Sequence, residues 1–133
     1  MVDISELKGK TIGKIEQGKG EFWDKGSKVN ELAFHVGQDI YYMFHSQDCC
    51  EDVYIEEIIG DLDDLIGWPI LEAEMVEGET EKAPDGYDDQ KWTFYKLGTI
   101  KGHVTIRWYG TSNGYYSIDV SFQKNTKAWC YDE

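Results

Sequence analysis

The segment from His45 to Glu51 concentrates metal-binding chemistry. It reads His-Ser-Gln-Asp-Cys-Cys-Glu, and no other seven-residue window holds an imidazole, two thiols and two carboxylates. Zinc takes about four such nitrogen, sulfur or oxygen ligands in a tetrahedron. The predicted ligands are His45, Asp48, Cys49 and Cys50, and Cys130, His103 and His35 could contribute from distant parts of the chain.

A hairpin is the expected backbone around this cluster. If strand 40–45 turns over residues 46–49 and returns, His45 and Cys50 face each other across the hairpin. Neighbouring cysteines on a regular strand point to opposite faces, so both can bind one ion only where the backbone is irregular. The spacing matches no familiar zinc finger. Two alternatives stay open: a small core cysteine beside a hydrogen-bonded histidine, and a nucleophilic cysteine with His45 as its base, which the anionic surroundings disfavour.

An acidic block follows the cluster. From Glu51 to Asp89 there are fifteen acids against one base, Lys82, so this segment carries a net charge of −14 while the whole chain carries −13. Carboxylates on one face of a strand recur about every 6.6 Å, and such a row can imitate a nucleic-acid backbone towards a basic groove. The alternative is a solvated surface. The acids predicted to contact a basic partner are Glu56, Glu57, Asp61, Asp63, Asp64, Glu72, Glu74, Glu77 and Glu79.

Size and composition indicate one domain over residues 1–133. Apolar residues make up 41% and aromatic residues 14% of the chain, too many for a disordered acidic tail. The negative charge argues against direct binding of nucleic acid or anionic lipid. The N-terminus lacks a signal-peptide pattern, no apolar run approaches ~18 residues, and an odd cysteine count with a vicinal pair does not suit a secreted disulfide framework. These features predict a cytoplasmic protein.

Short alternating runs separated by glycine-rich turns predict a mainly β fold of the α+β type. We expect seven or eight strands in an antiparallel sheet curled into a sandwich or half-barrel. Asn113-Gly114 is a strong hairpin signal, and Asp61 and Gly67 bracket one short helix near 61–66. A single helical turn fits residues 4–7. The predicted strands are 11–17, 31–36, 40–45, 53–58, 70–75, 92–96, 103–109 and 115–123, with an exposed loop over 77–90.

Three segments resemble a family of small phage and prophage proteins classed as a domain of unknown function: 44–70, 92–96 and 104–117. The likeness spans residues 30–123, and some members resemble zinc-containing anti-CRISPR proteins that inhibit the type II RNA-guided effector nuclease. The resemblance implies a phage or prophage protein that, in the cytoplasm of an infected or lysogenic bacterial cell, binds this nuclease and obstructs its DNA handling. That nuclease holds nucleic acid in a positively charged channel, which suits an acidic inhibitor. The implied zinc falls on His45, Asp48, Cys49 and Cys50.

The resulting expectation is a non-enzymatic inhibitor of the CRISPR effector nuclease, in which a structural zinc staples the 40–58 hairpin and the acidic block engages basic side chains. Two other classes remain. One is a small metal- or thiol-dependent hydrolase that uses His45 and Cys50. The other is a ligand-sequestering anti-defence or virion protein whose aromatic strands over 92–120 form the working surface.

Overall fold

The chain forms two antiparallel β-sheets and two short 3-10 helices in a computed structural model that describes residues 2–18, 30–46 and 50–126. The helices are η1 (Ile4–Leu7) and η2 (Leu62–Leu65). The strands are β1 (Lys14–Gly18), β2 (Glu31–Val36), β3 (Asp39–Phe44), β4 (Asp52–Ile59), β5 (Glu72–Glu77), β6 (Glu81–Lys82), β7 (Asp89–Thr99), β8 (Gly102–Ser112) and β9 (Ser121–Lys124). The mainly β, antiparallel prediction is confirmed.

The strands divide into two sheets, and neither closes into a barrel over the described residues. The first sheet has the order β1-β2-β3-β9, and the second has the order β4-β8-β7-β5, with the short β6 also pairing with β7. The long β7 and β8 form the centre of the second sheet and pair over their full length. The predicted edge strand over 11–17 is β1, which ends the first sheet.

One hydrophobic core lies against both sheets. Leu32, Tyr41 and Met43 reach it from the first sheet, and Ile106 and Trp108 reach it from the second. In β8, every second residue from Val104 onwards is buried, because successive side chains of a strand point to opposite faces. Trp108 Nε1 lies 3.2 Å from Met43 Sδ, so a direct contact joins the two sheets inside the core.

Local signals place several turns and caps where the sequence predicts them. The β2–β3 hairpin turns at Gly37, whose φ of 62° lies in the left-handed region that glycine adopts without strain. Asp61 caps η2 by accepting a hydrogen bond of 2.9 Å from the backbone of Asp63. The predicted helix over 61–66 is therefore present, although it is a single 3-10 turn over four residues. The helical turn over residues 4–7 is also confirmed.

Two predicted hairpins are wrong. β3 pairs with β2 and β9, whereas β4 pairs with β8, so the chain passes from the first sheet to the second between Phe44 and Asp52, and β3 and β4 do not pair as a hairpin. Asn113-Gly114 likewise does not join two paired strands, because β8 and β9 belong to different sheets. There the side chains of Ser112 and Asn113 bond the local backbone, and residues 113–120 cross irregularly to the first sheet.

Other boundaries also shift. The predicted strand over 115–123 shrinks to β9, and the strand predicted over 70–75 begins two residues later as β5. The loop predicted over 77–90 contains β6 and the first residues of β7. Among the described residues, no helix is long and apolar enough to span a membrane.

Candidate functional site

The structural centre of the candidate site is a buried pair between His45 and Glu51. His45 follows β3 directly and Glu51 directly precedes β4, so the pair closes the first crossing between the sheets. His45 Nε2 lies 2.6 Å from Glu51 Oε2, and the two side chains are 4% and 0% exposed. His45 Nδ1 lies 2.7 Å from the carbonyl oxygen of Asp119, which belongs to the second crossing. One imidazole thus holds both crossings together.

The two contacts of His45 require one hydrogen atom between each ring nitrogen and the oxygen that it faces. A backbone carbonyl only accepts hydrogen bonds, so Nδ1 must carry a proton. If the ring were neutral, Nε2 would then present a lone pair to the carboxylate of Glu51, and two acceptors would face each other at 2.6 Å. A second proton must therefore lie between His45 Nε2 and Glu51 Oε2, because a distance of 2.6 Å fits a hydrogen bond. A zinc ion, with bonds of about 2.0–2.2 Å to nitrogen and oxygen, would require these two atoms to move apart.

A second ionic contact extends this site through Asp119. Its carboxylate bonds the buried ammonium of Lys91 on β7, and Lys91 Nζ also donates to Glu77 Oε2 at 2.9 Å. Burial pushes the pKa of Asp119 up, but the bond and the charge of Lys91 outweigh burial and leave that pKa below its ordinary value. Burial pushes the pKa of Lys91 down, and the two carboxylates reverse this and raise it. Asp119 thus links His45 to Lys91.

The predicted zinc ligands are only partly placed. His45 is described as above, and Cys50 is exposed at the rim of a polar cleft of about 180 Å3, which Glu51 and Asp52 also line. Asp48, Cys49 and Cys130 lie outside the described residues. Over residues 2–18, 30–46 and 50–126, no group of three or more His, Cys, Asp and Glu side chains is arranged to hold a metal.

The two other histidines lie apart from this site. His35 on β2 contacts Glu16 on β1, with Nε2 2.5 Å from the carboxylate. His103 on β8 is 74% exposed and lies 3.9 Å from Glu72. The structure does not bring either imidazole to His45.

Glu51 is a site residue that the sequence prediction missed as a partner of His45, although it lies in the segment from His45 to Glu51 and begins the acidic block. The alternation of residues along β4 could have predicted that Glu51 is buried. Glu51, Val53 and Ile55 share one strand parity, and the two apolar residues face the core. A glutamate in the same register must be buried, and a buried carboxylate needs a partner such as the nearby His45.

The nine acids predicted to contact a partner all lie on the second sheet or its connections, but only some of them have a basic side chain as a neighbour. Glu56 and Glu57 contact Arg107 at 2.8 and 2.7 Å, and Glu77 contacts Lys91. Their charges are therefore partly neutralised. Glu72 lies near the exposed His103, and Asp61 accepts the hydrogen bond that caps η2.

Four predicted acids form no ion pair with the described residues: Asp63, Asp64, Glu74 and Glu79. Glu72 and Glu74 share the outer face of β5 opposite the buried Ala73, as predicted. The predicted two-residue series over Glu77, Glu79 and Glu81 is not one row. Glu77 bonds Lys91 and Glu81 bonds Gln90, and these consecutive residues of β7 point to opposite faces.

An apolar cleft opens at another side of the molecule, between η1, β5 and β9. Its volume is about 300 Å3, and its lining includes Met75, Tyr95 and Phe122 together with the acidic Asp3. Burial raises the pKa of the Tyr95 hydroxyl above its ordinary value, and the nearby carboxylates add to this effect. The cleft presents apolar surface with few polar groups.

Comparison with known proteins yields one family. A family model described as "Domain of unknown function (DUF7448)" matches residues 5–122, which include both sheets, the His45–Glu51 pair and the acidic block. Neither a curated protein nor a solved structure matches the chain.

Proposed function

We propose that this chain, which belongs to the DUF7448 family, is a phage-encoded inhibitor that binds a basic nucleic-acid enzyme of its bacterial host. The partner we infer is the type II RNA-guided effector nuclease, which handles nucleic acid in a positively charged channel. The inhibitor obstructs loading of target DNA and catalyses no reaction. It acts in the host cytoplasm and contacts neither nucleic acid nor membrane directly.

Segregation of charge is the observation that carries this proposal. All nine predicted contact acids lie from β4 to the connection before β6, on the second sheet or its connections, while the segment 51–89 holds fifteen acids and one base. Solubility does not require such segregation. A surface of one sign raises the encounter rate with a partner of opposite sign and repels nucleic acid.

A structural zinc near His45 is part of the proposal. His45 supplies an imidazole, and the exposed thiol of Cys50 immediately precedes Glu51, the partner of that imidazole. Asp48 and Cys49 are the remaining ligands we infer. Because β3 and β4 lie in different sheets, such an ion would join the two sheets rather than staple a hairpin. When bound, zinc would supply a charged cross-link and no chemical step.

We also infer that the two sheets pack face to face as a sandwich. The shared core and the contact between Trp108 and Met43 support this arrangement. It would leave the other face of the second sheet, which carries Glu57, Glu72 and Glu74, open to a partner.

The experiment for the inhibitor proposal is capture of purified effector nuclease by the immobilised protein, together with target-DNA cleavage, over a series of salt concentrations. We expect capture and inhibition at low salt that weaken as ionic strength rises. Preloading the nuclease with target DNA should reduce capture if the protein obstructs loading. Absence of capture at low salt would refute the proposal.

Elemental analysis and thermal melting with a chelator test the zinc. We expect close to one zinc per chain, and a large fall in melting temperature when the metal is removed. Cys50→Ser should lose both metal and chelator sensitivity, whereas His103→Ala, which alters an exposed histidine distant from the site, should retain both. A metal-free protein with unchanged melting would leave a proton between His45 and Glu51.

Sequestration of a small apolar ligand is a second candidate function, and the cleft beside Met75, Tyr95 and Phe122 favours it. A lined apolar cavity with few polar groups is a common form of ligand site. Mass spectrometry of the purified protein under native conditions would reveal a retained molecule. Its loss in Met75→Trp, a substitution that fills the mouth of the cleft, would assign the site.

A further inference from the structure

The outer face of the second sheet carries a row of aromatic side chains across three neighbouring strands. Tyr54 of β4 pairs in register with Tyr109 of β8, and Tyr109 pairs with Trp92 of β7. The ring centroids of Tyr54 and Tyr109 lie 5.8 Å apart, and those of Trp92 and Tyr109 lie 5.2 Å apart. We call Tyr54, Tyr109 and Trp92 the aromatic row.

The aromatic row remains accessible. Its three side chains are half-buried, and they alternate along their strands with residues such as Val53, Trp108 and Thr93 that point into the core. Beside the row lie Phe94, which is also half-buried, and Val76, which is 41% exposed and pairs with Phe94 in register. A β-sheet usually covers aromatic rings with a second layer, so half-exposed rings across three strands favour an external partner.

The protein itself shows what chemistry this face accommodates. Arg107, one register step from Tyr109, lies on the same face between two carboxylates: its Nε is 2.8 Å from Glu56, and its Nη2 is 2.7 Å from Glu57. Trp92 Nε1 donates to the same Glu56 at 3.1 Å. A guanidinium paired with two glutamates, in register with Phe94 of β7, is therefore already part of this surface.

The rest of the face has acids in excess. Glu72 and Glu74 lie along β5, and Lys96 is the cross-strand neighbour of Glu74. The glutamates of this face, which include Glu56, Glu57, Glu72 and Glu74, outnumber its bases Lys96 and Arg107. Nucleic acid would be repelled there, while a cationic side chain on the aromatic row would find the carboxylate of Glu56 beside Trp92.

We propose that the outer face of the second sheet binds an arginine-bearing segment of a basic protein, with guanidinium groups stacked on the aromatic row and paired to its flanking glutamates. Arginine fits better than lysine because its planar guanidinium stacks on rings and bonds a carboxylate through two N–H groups. The identity of the protein that supplies the segment rests on the proposed function, whereas the chemistry of the face does not.

Two labelled peptides of equal length and charge, one alternating arginine with glycine and one alternating lysine with glycine, provide the test. We expect the arginine peptide to bind about two- to fivefold more tightly than the lysine peptide, as exposed cation–π contacts suggest. Trp92→Ala should weaken binding of the arginine peptide about fivefold and largely remove the difference in affinity between the two peptides. In NMR spectra, the indole N–H signal of Trp92 should shift on titration.

Matched variants distinguish binding at the aromatic row from nonspecific attraction by acidic residues and from the effects of misfolding. Trp68→Ala removes a 42% exposed tryptophan outside the face. We expect the affinity of this variant for the arginine peptide to differ from that of the wild type by less than about twofold. Trp92→Leu keeps an apolar side chain without a ring and should weaken arginine binding as Trp92→Ala does. Arg107→Gln frees Glu56 and Glu57, so it should tighten binding of the arginine peptide.

Several results would overturn the inference. Unchanged binding in folded Trp92→Leu, equal losses in Trp68→Ala, or equal affinity for the two peptides would assign binding to acids elsewhere. A neutral oligosaccharide that shifts the Trp92 signal where the arginine peptide does not would assign the face to sugars. If the nuclease is captured equally by the wild type and Trp92→Leu, binding of the nuclease through this face is refuted and the proposed function stands. Peptide binding at the face without nuclease capture refutes the proposed partner instead.

Discussion

At the scale of residues, the chain contains two histidine–glutamate contacts of nearly equal length in opposite surroundings. His45 and Glu51 are buried where the chain crosses between sheets, whereas the contact of His35 with Glu16 lies at the surface of the first sheet. Exposed ion pairs contribute little to stability because water solvates both partners well. Breaking a buried pair leaves its other member without compensation.

We therefore predict that Glu51→Ala, which removes the partner of His45, lowers the free energy of unfolding by about 3–5 kcal/mol. Urea unfolding at neutral pH measures this loss. Glu16→Ala is the matched control, and its unfolding midpoint should stay close to that of the wild type. If a proton rather than zinc joins His45 and Glu51, the loss in Glu51→Ala is the same with and without chelator. Equal effects of the two substitutions would contradict the buried-pair interpretation.

The contact of Asp119 with Lys91 predicts a pH dependence. The pKa of Asp119 lies below its ordinary value of 3.8 in the folded protein, so the contact stabilises the fold above that value and the stabilisation disappears as pH falls through the lowered pKa. The raised pKa of Lys91 moves the loss on the alkaline side above 10.5. The contribution is thus constant between these limits.

Asp119→Asn should accordingly be less stable than the wild type at neutral pH. The difference should begin to shrink as pH falls below about 4 and should vanish once the pH is below the lowered pKa of Asp119. Thermal melts across a pH series measure the difference, with Asp63→Asn as the control for removal of one exposed negative charge. Because Asp119 is itself largely exposed, the difference should be modest. A gap that widens in acid would contradict the assignment.

At the scale of elements, the segment 113–120 depends on a close approach to β8. A Cβ atom on Gly110 would lie 2.8 Å from Ile118 Cβ and 3.0 Å from its carbonyl oxygen. No side chain fits at this distance unless the crossing segment moves. Gly110 thus allows the chain to pass over β8 on its way from the second sheet to the first.

Gly110→Ala should lower the free energy of unfolding by about 1–3 kcal/mol, as expected for overpacking. Gly13→Ala is the control, because the nearest atom to its added Cβ would be His35 O at 3.9 Å and its backbone imposes no positive φ. Chemical unfolding of both variants checks the prediction. A loss in Gly13→Ala as large as that in Gly110→Ala would contradict it.

The same scale explains which parts of the fold were predictable. Alternation located most strands, and capping chemistry located η2, because these signals are encoded within a few residues. Membership of a sheet depends on pairing between strands that are distant in sequence, so β3–β4 and β8–β9 were mistaken for hairpins. The buried role of Glu51 and the contact of His45 with Asp119 were missed for the same reason: Asp119 is 74 residues away.

At the scale of the whole molecule, charge is divided between the two sheets. The second sheet and its connections carry the acidic block, and Glu74 and Glu79 have no ion pair with a described residue. Long-range attraction acts mainly on the rate of association, and salt screens it. The rate of association therefore depends less on which acids contact the partner than on how many acids lie on the same side of the protein.

We predict that the double variant Glu74→Gln/Glu79→Gln slows association with the basic nuclease several-fold at low salt and flattens its dependence on ionic strength. Glu16→Gln/Glu31→Gln changes the net charge equally but alters the first sheet, and its association rate should remain near that of the wild type. Stopped-flow or surface-based kinetics distinguish the two. Identical rates for both variants would mean that only the total charge matters.

The edges of the second sheet have a consequence for solution behaviour. β4 is bulged between Ile55 and Glu57, and β5 places Glu72, Glu74 and Glu77 within six residues. A bulge interrupts the regular ladder that another strand would need, and a negatively charged edge repels an identical edge on a second copy. Copies of this protein should therefore resist stacking into β-aggregates at neutral pH, and should lose that resistance in acid as their edge carboxylates become protonated.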